Sequence, residues 1–444
     1  LFPYTTLFRS GVQAALDLAD TGYLVYMVEK SEAIGGVMSA LDKTFPTNDC
    51  SMCILSPKLV ECGRHPNIEI LTLADVLEVA GEAGNFRVNL QQRARYVDMS
   101  KCIACGVCAE KCPRKVPNAY NEGLSERKAA YVKYPQAVPL KYAIDKEHCI
   151  YFEKGKCRAC EKFCPAGAIK FDDKDMLFQL NVGSIILAPG FKPFDPKIFD
   201  TYNYAHYPNV ITSMEFERIL SPSGPSGGDL VRPSDSKAPE RIAWLQCVGS
   251  RVMNQCDNSY CSAVCCMYAI KEAVIAKEHS HHPLEATIFY MDMRTSGKDF
   301  EKYYNRAKEE HGVRFVRSRL HSIEKTPGTE DLLVRYTDES GGLRQEEYDL
   351  VVLSVGLETA PEVMELARRM DIRINDGKFA ATSPFAPVST TRPGIFVCGA
   401  FQGPKDIPQS VMEASAAAAE TAMLLAPVRG SAISKPEPPR EMDP

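Results

Sequence analysis

Eight of the seventeen cysteines of this 444-residue chain fall within residues 102–164. The first run reads Cys102-Ile-Ala-Cys105-Gly-Val-Cys108-Ala-Glu-Lys-Cys112-Pro113. After an outlying Cys149, a second run reads Cys157-Arg-Ala-Cys160-Glu-Lys-Phe-Cys164-Pro165. C-x2-C-x2-C-x3-C-P is the bacterial spacing for [4Fe–4S] clusters, in which the fourth cysteine serves the other cluster. Soft thiolates suit iron–sulfur chemistry, and three of them on one tight loop can converge on one face of a four-iron cage. Crossing the fourth ligand assigns Cys102, Cys105, Cys108 and Cys164 to one cluster, and Cys149, Cys157, Cys160 and Cys112 to a second. Structural zinc and disulfides are the rival uses of such residues, and two runs each closed by Cys-Pro suit neither.

Two further groups stand outside this stretch. Cys247, Cys256, Cys261, Cys265 and Cys266 follow a strand-like segment at 241–245, where a nicotinamide-binding unit would carry its glycine fingerprint. Only Gly249 remains there, so this unit is expected to have lost its nicotinamide nucleotide. Cys247, Cys261, Cys265 and Cys266 form a candidate ligand set for a third cluster, with Cys256 spare. Cys50-Ser-Met-Cys53, with Cys62 nearby, is a redox dithiol, half of another cluster, or a set of small buried cysteines. The run His279-Ser-His-His282 reads as a solvated loop rather than a metal site.

Elements able to carry these groups lie on both flanks. Residues 11–22 (GVQAALDLADTG) read as an apolar-faced helix ending at glycine, and 23–28 (YLVYMV) as a buried strand closed by Glu29. Helix, strand and terminal acid make the second half of a Rossmann unit, in which Glu29, followed by Lys30, would hold a ribose hydroxyl. Gly11 would be the last glycine of the phosphate turn. Residues 1–10 (LFPYTTLFRS) supply neither an apolar first strand nor the earlier glycines; they resemble translated adapter sequence and are expected to lie outside the fold.

Gly35-Gly36, a few residues past the ribose-binding acid, is a pattern of FAD proteins rather than NAD enzymes; glycine lets backbone approach the cofactor closely. Near the other end, Pro393-Gly394-Ile-Phe-Val-Cys398-Gly399-Ala400 resembles the last FAD fingerprint, with Ala400 where an Asp commonly stands. Lys405-Asp406-Ile407 then leads an alanine-rich helix to about Leu425, whose first N–H groups would face the flavin ring. Lys405 is the nearby cation, either tuning the flavin or solvated in its loop.

Further strands are expected at 68–71, 86–90, 178–190 with its Pro-Gly turn, 290–294, 313–316, 332–336 and 349–356. The expected order is an FAD-binding part at 11–96, the cluster insert at 97–173, and a second FAD part with linker at 174–235. A Rossmann-like domain at 236–356, a third FAD part at 357–428 and a mobile tail at 429–444 complete it. A formal net charge of −5 argues against a nucleic-acid surface. No apolar run approaches the roughly 18–20 residues of a membrane span; Glu420 interrupts the alanine-rich stretch. Repeated CxxC spacing in a large chain points to metal in a reducing, cytoplasmic compartment.

The motifs Lys43-Thr-Phe-Pro, Asp49-Cys50-Ser-Met-Cys53-Ile-Leu, the double-cluster insert, Gln246-Cys247-Val-Gly-Ser-Arg, Tyr260-Cys-Ser-Ala-Val-Cys-Cys-Met267 and Gln402-Gly-Pro-Lys-Asp-Ile-Pro408 carry a family likeness. Together they resemble the FAD/iron–sulfur subunit family of CoB–CoM heterodisulfide reductase, over about residues 11–426. The resemblance implies an α/β, thioredoxin-reductase-like flavoprotein with two Rossmann-like units and an inserted bacterial-type double-cluster ferredoxin domain. It implies FAD and several [4Fe–4S] clusters, which suits two in the insert and a third on Cys247, Cys261, Cys265 and Cys266, while a fourth involving Cys50 and Cys53 stays open beside the dithiol and buried-cysteine readings. The partners it implies are other heterodisulfide-reductase-like subunits, with ferredoxin or a hydrogenase or dehydrogenase as electron donor. In that family the flavin splits electron pairs between ferredoxin and a disulfide-reducing partner. The N-terminal domain and C-terminal ferredoxin-like domain of longer members are not in this sequence. Rival readings are an NAD(P)H-dependent FAD/iron–sulfur oxidoreductase and a non-catalytic ferredoxin-like electron carrier.

Overall fold

The computed structural model describes residues 2–4 and 9–428. The expected mobile tail at 429–444 and residues 5–8, just ahead of the expected last glycine of the phosphate turn, lie outside the described residues. The chain opens with β1 (Phe2–Tyr4), α1 (Arg9–Asp20), β2 (Val25–Glu29), α2 (Ser51–Arg64) and β3 (Ile68–Thr72). β4 (Ala74–Glu82) and β5 (Asn85–Gln92) form an antiparallel pair, which β6 (Met176–Val182) completes as a three-stranded sheet before β7 (Ile185–Leu187). Residues 93–175 therefore loop out between two neighbouring strands of one sheet and return to it.

The second unit carries β8 (Val210–Thr212), α3 (Ser213–Leu220), β9 (Arg241–Val248), α4 (Cys265–His279), β10 (Glu285–Tyr290), α5 (Phe300–Glu309), β11 (Arg314–Arg317) and β12 (Leu350–Val355). β13 (Ile395–Val397) and α6 (Ile407–Leu425) end the described chain. Two five-stranded sheets result, in the orders β13-β7-β1-β2-β3 and β8-β12-β9-β10-β11. Every pairing within them is parallel. Such sheets are covered on both faces, so their strands read as continuous apolar runs; β12 is buried at all six positions.

Three expectations change. Residues 1–10 were expected to supply no strand, yet Phe2–Tyr4 pairs with both β7 and β2. A short extended segment satisfies the backbone groups that two parallel neighbours would otherwise leave bare. The boundary expected at 235/236 moves as well, because β8 pairs with β12 in the second sheet. α3 follows it there: Phe216 meets the fully buried Trp244 of β9 edge-on at 5.5 Å. Finally, the strand expected at 290–294 runs instead from Glu285 to Tyr290, where apolar Ala286, Ile288 and Phe289 are buried.

Helix α6 bears on the membrane question. With the turn that follows it, α6 makes a 22-residue stretch, Ile407–Val428, mean hydropathy 1.2, that is long and apolar enough to cross a membrane by length and composition. The expectation that no stretch approached this limit undercounted the small alanines. In the fold this helix covers the first sheet: Ala414, Ala417 and Ala418 sit in one core with Ala14, Ala15 and Leu18 of α1. Small side chains on both helices allow that close approach.

Candidate functional site

The insert sets its cysteines on loops with short helices, Val107–Glu110 and Ala159–Lys162. Ala104, Gly106 and Cys157 take positive φ values of 57°, 85° and 78°, turning the loops tightly enough for successive cysteines to face inward. Cys102, Cys105, Cys108 and Cys164 line one small cavity, closed by Tyr142 and Ile169. Cys149, Cys157, Cys160 and Cys112 are mutual electrostatic neighbours in a second group, and Cys160 also adjoins Cys108. The structure thus draws the cysteines of each expected quartet into one neighbourhood.

Burial pushes the Cys108 and Cys160 thiols up to about 12, so a metal taken up there would have to displace their protons. Ala168 N–H donates to Cys164 Sγ at 3.3 Å. Tyr96, Tyr151, Phe152 and Phe171 form a connected aromatic shell, with centroids 4.2–5.7 Å apart. Hydrogen bonds to sulfur and solvent exclusion are the levers that set a cluster's potential. Among the described residues no group of three or more His, Cys, Asp or Glu converges as a single-ion site. Sulfurs ringing a void suit a cage better than one ion.

A third group forms where β9 meets α4. Cys247, at φ 63°, packs with buried Cys265 and Cys266. A hydrogen bond from Cys265 draws the Cys247 thiol down to about 7, against burial. Cys261 stands apart from those three, beside Arg294, whose backbone N–H faces Cys266. Cys256 packs in a different core, its Sγ 3.3 Å from Val252 O. The one remaining glycine of the expected nucleotide fingerprint is also filled: a Cβ on Gly249 would lie 2.1 Å from the Phe194 ring. An aromatic ring occupies the close approach that a phosphate would need.

Cys50 and Cys53 depart from the cluster expectation. They are joined as a disulfide, Cα atoms 5.2 Å apart, at the exposed start of α2. As disulfide sulfurs they are not thiolate ligands; one helical turn brings cap and third residue together, the geometry of a dithiol pair. Cys62 is elsewhere, fully buried on the inner face of α2 with its thiol pushed up to about 12 by burial.

The residues expected to hold FAD fall into two places. Glu29, 1% exposed at the end of β2, accepts from Ser31 N at 2.8 Å and from Ser31 Oγ at 2.7 Å. Burial, partly offset by Lys133, holds its carboxyl above the usual range. Lys30 points away, 3.6 Å from Glu362. Gly11 is buried in the first turns of α1. Across from it, a Cβ on Gly399 (φ 72°) would meet the buried Ser10 Oγ at 2.6 Å, and that hydroxyl lies within hydrogen-bond reach of the Cys398 thiol. Gly36 (φ 56°, ψ −153°) adopts a conformation open to glycine alone. The glycine-only turn at Gly36, the close approach at Gly399 and the buried acid at the end of β2 together fit a dinucleotide.

The second place is a cavity of 310 Å³ between the flavin-type sheet and the second unit. Lys405, Asp406 and Ile407 line it, with Val37, Met38 and Phe45 on the same side and Tyr268 and Val264 of the α4 region opposite. Asp406 caps α6, accepting from Gln409 N at 2.8 Å. Lys405 is not a solvated loop lysine: it is buried and bonded to Gln402 and Glu413. Burial lowers its ammonium's pKa, which Glu413 partly restores. Ala400 is buried against Phe191 and Leu357, placing carbon where the fingerprint Asp would put a carboxylate. Tyr268 packs against the Cys247–Cys265–Cys266 group and donates to Val355 O at 2.6 Å. One layer of side chains thus separates cavity from sulfur.

Sequence reasoning missed how the insert is docked. Tyr134 donates to Ile34 O, Tyr120 to Ser39 O at 2.7 Å, and Lys133 to Ser31 Oγ at 2.5 Å. The insert thereby clamps the Gly35–Gly36 turn. It also missed buried Glu217, Lys271 and Glu272, which line the cavity. Charged residues inside otherwise apolar helices were the available signal.

Known proteins share this geometry. Residues 259–420 match the family model "Pyridine nucleotide-disulphide oxidoreductase", and 95–117 match "4Fe-4S binding domain". The fold is similar to thioredoxin reductase of Lactococcus lactis (TM-score 0.53, 13% identity, 96% of this chain and 99% of that one) and of T. acidophilum (TM-score 0.52, 12% identity, 95% and 97%). At such identities the likeness speaks for fold alone. The chain is 47% identical over 420 residues to a CoB–CoM heterodisulfide reductase iron-sulfur subunit of Methanocaldococcus jannaschii, covering 94% of this chain and 63% of that protein. It is 50% identical over 425 residues to the like-named protein of Methanopyrus kandleri, with the same coverages. With the corresponding subunit of the H(2):CoB-CoM heterodisulfide,ferredoxin reductase of Methanothermobacter marburgensis it shares 44% identity over 418 residues, 93% of this chain and 62% of that one. The chain spans a little under two thirds the length of these curated relatives. A thioredoxin-reductase-like flavoprotein fold, interrupted by an iron–sulfur insert, is thus similar along nearly its whole length to the iron-sulfur subunits of CoB–CoM heterodisulfide reductases.

Proposed function

We propose that the chain is the flavin and iron–sulfur electron-transfer part of a heterodisulfide-reductase-like complex in the cytoplasm. The observation that carries this is the 310 Å³ cavity with Lys405, Asp406 and Ile407 on one wall and the helix bearing Cys265 and Cys266 behind the other. Bound there, FAD supplies exchange between two-electron and one-electron chemistry. Gly36 and Gly399 give it bare backbone, Glu29 a carboxylate at the ribose, and Lys405 a buried positive charge near the ring. Phe45, Met38 and Val37 exclude water from the ring face. Cys102, Cys105, Cys108 and Cys164 hold one cluster and Cys112, Cys149, Cys157 and Cys160 a second. Cys247, Cys265 and Cys266, with Cys261 swung in, hold a third. Cys50 and Cys53, once reduced, remain available as two ligands of a fourth. Partner subunits, a ferredoxin and a hydrogenase- or dehydrogenase-type donor complete the circuit, and the disulfide chemistry lies in a partner. Dividing electron pairs between two acceptors extends this reading and is implied by the family.

Anaerobic purification with iron, sulfide and flavin quantification tests it. The expected result is one FAD and roughly 8–16 iron atoms per chain, from two to four four-iron clusters. Fewer than about eight after reconstitution would remove the assignment of the insert. Rapid bleaching of the flavin by NADH would favour a self-contained nicotinamide-dependent reductase, against which the Phe194-filled Gly249 turn speaks.

A further inference from the structure

Five charged side chains meet beneath the cavity, where α3 and α4 pack together: Asp42, Glu217, Arg218, Lys271 and Glu272, all buried. Each such group costs several kcal/mol in the interior unless paired. Arg218 is settled by Asn121 Oδ1 at 3.1 Å, Ala40 O at 2.9 Å and Ser223 Oγ at 3.0 Å. Lys271 pairs with Glu217, whose other oxygen accepts from Asp42 N at 2.9 Å. Glu272 is different. Its Oε2 accepts from Trp244 Nε1 at 3.0 Å, but its Oε1 has no donor among the described residues.

The neighbour of that group is the Glu217 carboxylate, within hydrogen-bond reach. Two carboxyl groups in a dry site cannot both ionise and hold one proton between them. Lys271 fixes the negative charge on Glu217, so the proton sits on Glu272. Burial, then the Glu217 charge, hold the Glu272 carboxyl well above the usual carboxylate range. Glu217, Lys271 and Glu272 line the same cavity as Lys405 and Ile407. Toward the outside, Glu217 accepts from Asp42 N, the Asp42 carboxyl stands within the charge field of Glu217, Lys271 and Lys43 with its Oδ2 lacking a donor among the described residues, and Lys43 is half-buried. Tyr268 also faces the cavity, but its hydroxyl proton is committed to Val355 O.

We propose that Glu272, backed by Glu217 and Lys271, is the internal proton donor to a two-electron redox ring seated in this cavity. The proposal rests on the flavin reading above. Two electrons arrive from iron–sulfur donors; the Glu272 O–H bond breaks and an N–H bond forms on the ring. Glu272 is left as a carboxylate and recovers its proton from water by way of Asp42 and Lys43. When the two electrons leave, the proton returns by the same path. Charge brought by the electrons is thus balanced inside the cavity, where low dielectric makes an uncompensated charge costly.

Redox-induced infrared difference spectroscopy on the anaerobically purified, flavin-loaded chain tests this. Reduction is expected to bleach a protonated-carboxyl C=O band that shifts in D2O. Glu272→Gln should remove that band, and slow proton uptake, followed with an indicator dye, by about 100-fold or more. The wild-type spectrum needs no variant. Should Glu272→Gln not fold, Trp244→Phe, which removes the other hydrogen bond to Glu272, must shift the band. A flavin-loaded chain whose carboxyl region is unmoved by reduction overturns the proposal, as does a band that survives Glu272→Gln or stays in place in Trp244→Phe. Flavin released on denaturation separates the two ideas: its absence removes the flavin reading and this proposal with it, whereas its presence with a silent carboxyl region removes this proposal alone.

Discussion

Lys405, buried in the wall of the cavity, pairs with part-buried Glu413, with Gln402 as the ammonium's second acceptor. The pair is directional in consequence. Glu413 also accepts from Gly399 N at 3.1 Å, so one carboxylate ties the last cofactor-type turn to the lysine just ahead of α6.

Removing the counter-charge should make Lys405 a stronger electrophilic neighbour of the flavin. Glu413→Gln is expected to raise the flavin midpoint potential by on the order of 30 mV, the equivalent of ~1.4 kcal/mol for a two-electron couple. Lys405→Met should lower it. A spectroelectrochemical titration checks both, and unchanged potentials in the two variants would place the ring elsewhere.

Gly35 sets a steric test of the docked insert. Its φ is 123°, and an added Cβ would lie 2.4 Å from Tyr134 Oη. Gly35→Ala is expected to cost about 1–3 kcal/mol from backbone strain alone, with further loss as Tyr134 gives up its bond to Ile34 O. Tyr134→Phe in the same chain should relieve the clash and leave the strain. Chemical denaturation of the single and double variants separates the two contributions; full recovery in the double would show that strain is not the cause.

The cysteine assignment makes a quantitative contrast. Cys160→Ala should reduce iron by about four per chain, because Cys160 lies within the second quartet. Cys62→Ala and Cys256→Ala should leave iron unchanged, since their sulfurs face Val12 O and Val252 O. Iron assay with the visible spectrum decides this, and a loss in Cys256→Ala equal to that in Cys160→Ala would redraw the third group.

Asp42 gives a pH dependence of defined sign. Burial, reinforced by Glu217, raises its carboxyl from 3.8 to about 6. The folded chain therefore binds this proton more tightly than the unfolded chain. Stability falls as pH rises from about 4 to 6, and the loss is complete above that window. Asp42→Asn removes the loss, so it should stabilise the protein by about 1–3 kcal/mol at pH 8 and by nothing at pH 4. Denaturant midpoints at the two pH values measure it; equal effects at both would assign the change to packing.

Much of this protein was legible in its residues because the relevant chemistry is local. Cysteine spacing of two and three residues grouped the insert's cysteines into two sets of four without any tertiary knowledge, since loops that short leave few ways for sulfurs to face inward. Apolar runs ending in Glu29 and Gly399 identified strands whose ends carry cofactor-type turns, because strand and turn chemistry is written in consecutive residues. The seam between the two units was not legible. Val210–Thr212 joins a sheet with Leu350–Val355, about 140 residues away in sequence, and no local pattern records such a partner. Nor could sequence decide that Lys405 is buried rather than solvated or that Glu272 faces Glu217. Those depend on which surfaces the two units press together, and only the tertiary structure excludes the water that would otherwise make each of these groups ordinary.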